Sequence, residues 1–143
     1  MYKIILLVED DPDDEALTLR AVRKHITQSV VVAHDGSEAL DFLFGTGDYK
    51  GRDLSISPSL ILLDLKLPKL NGFEVLRRIR GDARTQCIPV VVFSSSTEEQ
   101  DILGSYCFGA NSYIPKHEDF DKFCETLTHI IEYWFTLNIA PMQ

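Results

Sequence analysis

The sequence predicts an α/β protein with a doubly wound, five-stranded parallel sheet in the strand order 2-1-3-4-5. Along the 143 residues, five short apolar runs alternate with five segments of helical periodicity. The strand runs are apolar almost throughout, which is typical of strands covered on both faces. Right-handed crossovers require the helices to divide between the two faces, and this strand order satisfies that requirement.

The first two strand–helix units occupy the first third of the chain. The first strand is expected at 3–8. Its helix begins near Pro12, because proline suits the first helical position and the acids after it suit the positive end of the helix dipole. The helical spacing of apolar residues continues to Ile26. A second strand is predicted at 30–33, and Asp35 opens the helix that follows it.

The third unit comes after a long connection. Residues 45–58 are polar and rich in turn formers, so they are predicted to form a loop. The third strand is expected at 59–64, and the helix after it begins beyond Asn71. A fourth strand is predicted at 88–94.

The last two helices have clear signals at their ends or along one face. Thr97 and Gln100 have the spacing of a capping box at the start of the fourth helix, which is expected to end near Gly109. The fifth strand is predicted at 111–114. An apolar stripe at steps of three and four residues predicts the buried face of the last helix: Phe120, Phe123, Leu127, Ile130 and Trp134.

The composition indicates one domain, 1–143, with a core at about 3–136, a short C-terminal tail and no output domain. The net charge of −8 argues against a nucleic-acid surface. No apolar stretch approaches the roughly 20 residues that span a bilayer, and the first residues do not form a signal peptide. We therefore expect a cytoplasmic protein with no nucleic-acid or membrane partner.

Polar residues whose side chains could bind a ligand or take part in a reaction lie at the ends of four of the predicted strands. Glu9 and Asp10 follow the first strand, Asp64 ends the third, Ser94 ends the fourth and Lys116 follows the fifth. In this strand order the ligand crevice lies outside the carboxyl ends of the first and third strands. Each residue alone is most often a solvated side chain or a turn former, but four such coincidences at one sheet edge indicate a site.

That set of residues suits phosphoryl chemistry. Carboxylates about 4 Å apart repel by about 4 kcal/mol at a surface-like dielectric, so several acids in one crevice need a cation. Oxygen ligands with open water positions suit Mg²⁺. An aspartate beside such a metal can act as a nucleophile and form an aspartyl phosphate. Lys116 would neutralise developing charge, and the Ser94 hydroxyl could donate to a phosphoryl oxygen.

The motifs together identify a family resemblance. The residues that carry it are Val8-Glu9-Asp10-Asp11, Asp64-Leu65-Lys66-Leu67-Pro68, Gly72, Ser94, Tyr113 and Lys116. With them the chain resembles the receiver domain of two-component response regulators, which has the flavodoxin-like (βα)5 receiver fold. The resemblance covers nearly the whole chain and implies a single receiver domain.

The resemblance implies a role for each of these residues. Asp64 would accept phosphate from a histidine kinase in a Mg²⁺-dependent reaction. Glu9 and Asp10, with Asp64 and the backbone carbonyl of Lys66, would hold the Mg²⁺. The protein would be a signalling phosphoacceptor rather than an enzyme, with self-phosphorylation and self-dephosphorylation chemistry of its own.

The resemblance also implies how phosphorylation would be transmitted. Lys116 would pair with the phosphoryl group. Ser94 and Tyr113 would form a switch pair, in which the hydroxyl closes on the phosphate and the ring swings inward. The surface of the fourth helix, fifth strand and fifth helix would then change and alter partner binding.

A narrower likeness concerns the partners. The opening 7–14, the loop at 45–58 and the ending Tyr133-Trp134-Phe135 are similar to single-domain regulators that partner phytochrome-type sensor kinases. The expected partners are therefore a sensor histidine kinase, of phytochrome type by this likeness, and a downstream protein or phosphotransfer partner.

The proline next to Lys116 departs from the family pattern, and a second apolar stripe on the last helix has more than one explanation. Family members usually have proline after the lysine, whereas here Pro115 precedes Lys116, so we expect a trans bond after the lysine or a cis bond moved to Ile114–Pro115. A second apolar stripe on the last helix has two explanations, a thicker core contact or a homodimer through that helix: Cys124, Ile131 and Phe135.

Three functions are alternatives to a phosphoacceptor receiver. An aspartate-nucleophile phosphatase would carry a second aspartate two residues after Asp64, where Lys66 stands. A flavin carrier on the same fold needs a phosphate-binding loop after the first strand, where Glu9, Asp10 and Asp11 would repel phosphate. A receiver that binds partners without phosphorylation stays open.

Overall fold

The strands and helices of the computed structural model, which describes residues 4–25 and 29–141, alternate along the chain. The strands are β1 Ile4–Val8, β2 Ser29–Ala33, β3 Leu60–Leu63, β4 Val90–Ser94 and β5 Ser112–Pro115. The helices are α1 Pro12–His25, α2 Gly36–Phe44, α3 Gly72–Arg80, α4 Glu99–Cys107 and α5 Phe120–Glu132. All neighbouring strands pair in parallel, and their order is β2-β1-β3-β4-β5, which confirms the predicted topology.

The element boundaries agree with the prediction to within about two residues. Helix α1 begins at Pro12, as the proline and the acids after it predict. Residue 3 and Ile26, which were expected in the first strand and first helix, lie outside the described residues. Strand β3 ends at Leu63, so Asp64 is the first residue beyond it.

Alternate strand residues pack on opposite faces of the sheet and form two cores. One face of β1, with Leu6 and Val8, packs against α2 and α3 through residues such as Leu76. The other face, with Leu7, packs against α1 and α5 through residues such as Leu127. Strands β1 and β3 are buried on both faces, which explains why their sequences are apolar without alternation.

The connection at 45–58 is a loop, as predicted, apart from one 3-10 turn at Gly47–Tyr49. Arg52 orders it. Its guanidinium lies 4.1 Å from the centre of the Phe42 ring, its Nε donates to the Phe42 carbonyl at 2.7 Å, and one terminal nitrogen donates to the Ile56 carbonyl at 2.7 Å.

The predicted capping box at the start of α4 is wrong. The helix begins at Glu99, and the side chain of Ser96 accepts the N–H of Glu98 at 3.2 Å. The Ser96 hydroxyl also donates to a carboxylate oxygen of Asp101 at 2.6 Å, which holds this serine over the first turn. The N-cap residue is Glu98, whose side chain makes no capping bond, and Ser96 bonds to the segment just before and within the first turn.

The last helix confirms most of its predicted buried stripe. Phe123, Leu127 and Ile130 are buried, and Trp134 is half-buried in a π-helical turn at Tyr133–Leu137. Phe120, the first residue of the helix, is 49% exposed, so its predicted burial is wrong.

The second stripe on α5 is largely a core contact. Ile131 is 2% exposed, and Phe135 packs against the same core. Leu137 and Ile139, beyond the helix, are exposed, and the homodimer stays a prediction. In the part of the chain that the structure describes, no helix has the length and apolar character to cross a bilayer.

Candidate functional site

The sheet itself positions the three charged residues at the centre of the site. The N–H of Asp64 donates to the Val8 carbonyl at 3.1 Å, and the N–H of Glu9 donates to the Ala33 carbonyl at 2.9 Å. The N–H of Lys116 donates to the Ser94 carbonyl at 2.8 Å. Because these bonds extend the parallel ladders by one residue, each side chain starts from a fixed point at the carboxyl edge of the sheet.

The turn after Asp64 is tight and requires a glycine. The Lys66 N–H donates to a carboxylate oxygen of Asp64 at 3.3 Å, and the Gly72 N–H donates to the Leu65 carbonyl at 3.0 Å. A Cβ atom at Gly72 would lie 2.7 Å from the Leu65 Cα and 2.9 Å from the Asp64 carbonyl oxygen. The glycine of the family motif is therefore needed here for close backbone packing.

Lys116 joins three carboxylates. Its Nζ lies 2.6 Å from Glu9 Oε1, 2.8 Å from Asp14 Oδ2 and 2.9 Å from Asp64 Oδ2, and its side chain is 6% exposed. An ammonium group has three N–H donors, and all three have a carboxylate partner here. Burial lowers the pKa of Lys116, but Asp64, Asp14 and Glu9 together raise it above its ordinary value, so the lysine stays charged.

Glu9 is the buried carboxylate of the site, at 2% exposure. Burial raises the pKa of Glu9 to about 7, and the charge of Asp64 adds to this, although the contact with Lys116 and the N–H of Asp11 lower it. Burial therefore favours the protonated form of Glu9 relative to an exposed glutamate.

Three carboxylates at the site fit a divalent cation. Glu9, Asp10 and Asp64 each present an oxygen, and these oxygens all lie within 4.8 Å of one another. Oxygen ligands of a single Mg²⁺ or Ca²⁺ lie at most about 4–5 Å apart, which is twice the metal–oxygen distance. The predicted carboxylate ligands are thus together, while the role of the Lys66 carbonyl stays a prediction.

The two predicted switch residues meet at Ser96 in the β4–α4 loop. Ser94 is fully buried, and its hydroxyl accepts the N–H of Ser96 at 3.2 Å. The hydroxyl of Tyr113 donates to the carbonyl of Ser96 at 2.8 Å. A movement of the Ser94 hydroxyl would therefore disturb the backbone of Ser96, to which the Tyr113 hydroxyl is also bonded.

The peptide bond after the lysine is trans, as expected, and the alternative of a cis bond at Ile114–Pro115 is not found. Within residues 4–25 and 29–141 no peptide bond is cis, so both Ile114–Pro115 and Lys116–His117 are trans.

Asp14 is the site residue that the sequence reasoning missed. It was taken with its acidic neighbours as a residue that favours the N-terminus of α1. A signal was available, because Asp14 precedes the buried residues Thr18, Ala21 and Val22 by four, seven and eight positions. That spacing places Asp14, and not Asp13, on the helix face that lies against the sheet.

Comparison with known proteins identifies the family. Residues 5–128, most of the chain, match the response regulator receiver domain. The chain belongs to this family. Membership removes the aspartate-nucleophile phosphatase and the flavin carrier as alternatives and places the protein among two-component signalling components.

Two curated relatives match this response regulator over nearly their whole chains. It is 40% identical over 139 residues to the probable methanogenesis regulatory protein FilR2 of Methanothrix harundinacea, covering 96% of this chain and 87% of FilR2. It is 36% identical over 140 residues to the response regulator Rcp1 of Synechocystis sp., covering 97% of this chain and 93% of Rcp1.

Solved receiver structures agree with the fold and with a divalent-metal site. The phosphorylated cyanobacterial phytochrome response regulator RcpA superimposes with a TM-score of 0.92 at 38% identity, covering 99% of this chain and 100% of RcpA. The Mn²⁺-bound form of Rcp1 superimposes with a TM-score of 0.90 at 34% identity, covering 98% of this chain and 99% of Rcp1. With the acidic cluster described above, the second structure supports divalent-metal binding by this receiver.

Proposed function

We propose that this receiver accepts a phosphoryl group on Asp64 from a sensor histidine kinase, with Mg²⁺ as the cation. The observation that carries the proposal is the position of the Asp64 carboxylate. One of its oxygens contacts the ammonium group of Lys116, and its carboxylate also belongs to the cluster with Glu9 and Asp10. The Asp64 nucleophile thus contacts one fixed cation, Lys116, and belongs to a cluster that can bind a second cation. Positive charge at these places would stabilise the charge that develops in phosphoryl transfer.

The transfer step can be written for this chain's own groups. The bond between phosphorus and the kinase histidine nitrogen breaks as a bond forms between phosphorus and an Asp64 carboxylate oxygen. Glu9, Asp10 and Asp64, with the Lys66 carbonyl, would hold Mg²⁺, which supplies positive charge next to the phosphoryl oxygens. Lys116, which contacts Asp64, would donate to the phosphoryl group. The same groups would allow self-phosphorylation from small donors and self-dephosphorylation by water.

The switch would begin at Ser94. To donate to a phosphoryl oxygen on Asp64, its hydroxyl would release the N–H of Ser96 that it now accepts. Since Tyr113 is bonded to the carbonyl of the same Ser96, the β4–α4 loop and the tyrosine would rearrange together. The altered surface would comprise α4, β5 and α5.

The comparisons support a kinase of a particular type as the phosphoryl donor. RcpA is a phytochrome response regulator, and its likeness to this chain supports a phytochrome-type histidine kinase as the donor. The downstream partner would be a protein or a phosphotransfer domain that binds the switched surface. A homodimer through α5 is supported by the exposed apolar residues Leu137 and Ile139 that follow the helix. We place the protein in the cytoplasm.

Incubation with acetyl phosphate and Mg²⁺ is expected to add one phosphoryl group to the protein, because Asp64 is both the nucleophile and the partner of Lys116. Asp64→Asn keeps the shape of the side chain but removes the nucleophile, so no adduct is expected. Intact-mass measurement with Mg²⁺ and with EDTA checks both statements.

Asp48→Asn is the matched control, because Asp48 is an exposed aspartate in the 3-10 turn away from the sheet edge. It should be phosphorylated like the parent protein. An unmodified mass for the parent protein, together with no response to a beryllofluoride phosphoryl mimic, would contradict the proposal and favour a receiver that binds partners without phosphorylation.

Divalent-cation affinity is expected to fall about tenfold between pH 8 and pH 6, because a cation can bind only after Glu9 releases its proton. The pKa of Glu9 in the metal-free protein is about 7, so the carboxylate is mostly charged at the higher pH and mostly neutral at the lower one. Calorimetric titration with Mg²⁺ at constant ionic strength measures the change. In Glu9→Gln, the affinity at pH 8 should be lower and this pH dependence should flatten; equal affinity of the parent protein at the two pH values would contradict the role of Glu9.

A further inference from the structure

Asp14 contacts the functional lysine from a third element of the fold. It lies in the first turn of α1, its Oδ2 is 2.8 Å from the Lys116 Nζ, and its side chain is 29% exposed. The carboxylate cluster that fits a metal consists of Glu9, Asp10 and Asp64, so Asp14 contacts the lysine without being part of that cluster.

The contact uses a hydrogen-bond donor that phosphoryl transfer needs. Lys116 has three N–H donors, and each is directed at a carboxylate in the unphosphorylated protein. A phosphoryl group on Asp64 would take over the donor now directed at Asp64, and its three oxygens could also accept from the donor that Asp14 holds. Glu9 is buried beneath the site and its contact with the lysine is the shortest, at 2.6 Å, whereas Asp14 lies nearer to solvent and is the easier partner to displace.

We propose that Asp14 is a positioning residue that holds Lys116 back from the phosphoryl group and slows the phosphorylation of Asp64. The inference rests on the proposed function of Asp64. Two physical effects act in the same direction. The Asp14 carboxylate competes with phosphoryl oxygens for the lysine ammonium, and its negative charge opposes the approach of an anionic donor.

Asp13 provides a matched control in the same turn of α1. It carries the same charge one residue earlier, it is exposed, and its backbone N–H is bonded to the side chain of Asp11. Asp13→Asn therefore removes one negative charge near the site without removing a contact to Lys116. The difference between Asp14→Asn and Asp13→Asn isolates that contact from the general effect of charge.

The experiment measures the rate of phosphorylation by acetyl phosphate at saturating Mg²⁺ for the parent protein and both variants. Asp14→Asn is expected to react roughly fivefold faster than Asp13→Asn, which is the scale of a partly exposed ion pair. Asp14→Ala should be accelerated similarly, because it also removes the carboxylate. Equal rates for the Asp13 and Asp14 variants, or a slower Asp14→Asn, would overturn the inference.

A second measurement separates positioning of the lysine from an effect on the fold of α1. Beryllofluoride affinity in the presence of Mg²⁺ should rise in Asp14→Asn relative to Asp13→Asn. In a Lys116→Met background that difference should vanish, whereas an effect transmitted by α1 alone would persist and refute the proposal. A parent protein that neither gains a phosphoryl group nor binds beryllofluoride would instead refute the function of Asp64, and this inference with it.

Discussion

Lys116→Met is expected to lower the free energy of unfolding by about 3–5 kcal/mol in metal-free buffer, since removal of one partner leaves buried charges without compensation. Glu9, Asp14 and Asp64 would then face one another without the ammonium group that lies within 2.9 Å of each of them. Neighbouring carboxylates about 4 Å apart repel by about 4 kcal/mol at a surface-like dielectric. Part of the loss would be relieved by protonation of Glu9, whose pKa is raised by burial to about 7.

The same variant is expected to bind divalent cations more tightly than the parent protein, because the lysine charge opposes a cation at the neighbouring carboxylates. Mg²⁺ should therefore restore more stability to Lys116→Met than it adds to the parent protein. Urea unfolding with EDTA and with Mg²⁺ measures both effects. Lys122→Met, at an exposed position on α5, is the control and should change stability by less than about 0.5 kcal/mol.

The Mg²⁺ dependence of the stability of Lys116→Met distinguishes lost charge compensation from lost packing. A loss of stability that Mg²⁺ does not reduce would mean that lost packing, and not uncompensated negative charge, causes the effect. The phosphorylation rate should fall in either case, because the lysine can no longer donate to the phosphoryl group.

Gly36→Ala is expected to lower the free energy of unfolding by about 1–3 kcal/mol, the usual cost of overpacking. A Cβ atom at Gly36 would lie 2.2 Å from the Leu70 carbonyl oxygen and 2.8 Å from the Val75 Cγ2. Alanine ordinarily favours a helix over glycine by about 1 kcal/mol, so a loss of stability at this first residue of α2 would be steric in origin.

The effect of Gly36→Ala should reach the site. Leu70 belongs to the β3–α3 loop, which begins at Asp64, so relief of the clash moves the segment next to Asp64. We expect slower phosphorylation by acetyl phosphate together with lower stability in urea. Gly81→Ala is the control, because a Cβ there would meet no atom closer than the Arg77 carbonyl oxygen at 3.1 Å, and it should cost less stability than Gly36→Ala. Equal stability of Gly36→Ala and the parent protein would mean that α2 and the loop separate freely.

The fold could be predicted because each strand and most helix starts have a local signal. The apolar runs that became β1 and β3 are buried on both faces, and Pro12 begins α1 as its fixed backbone angle requires. The capping of α4 was not predictable in this way. The spacing of Thr97 and Gln100 predicted a capping box, but the N-cap is Glu98 without a side-chain bond, and Ser96 instead bonds to Asp101 in the first turn.

The sequence by itself determined which strand ends carry the functional groups. Parallel strands bring their carboxyl ends to one edge, so Glu9 and Asp64 had to be neighbours, and Lys116 had to lie at the same edge, once the strand order was known. Only the tertiary structure decided which side chains touch. The rotation of α1 brings Asp14 to Lys116, and the β4–α4 loop joins Ser94 to Tyr113 through Ser96, because such contacts depend on helix rotation and loop path, which are set by packing over the whole domain.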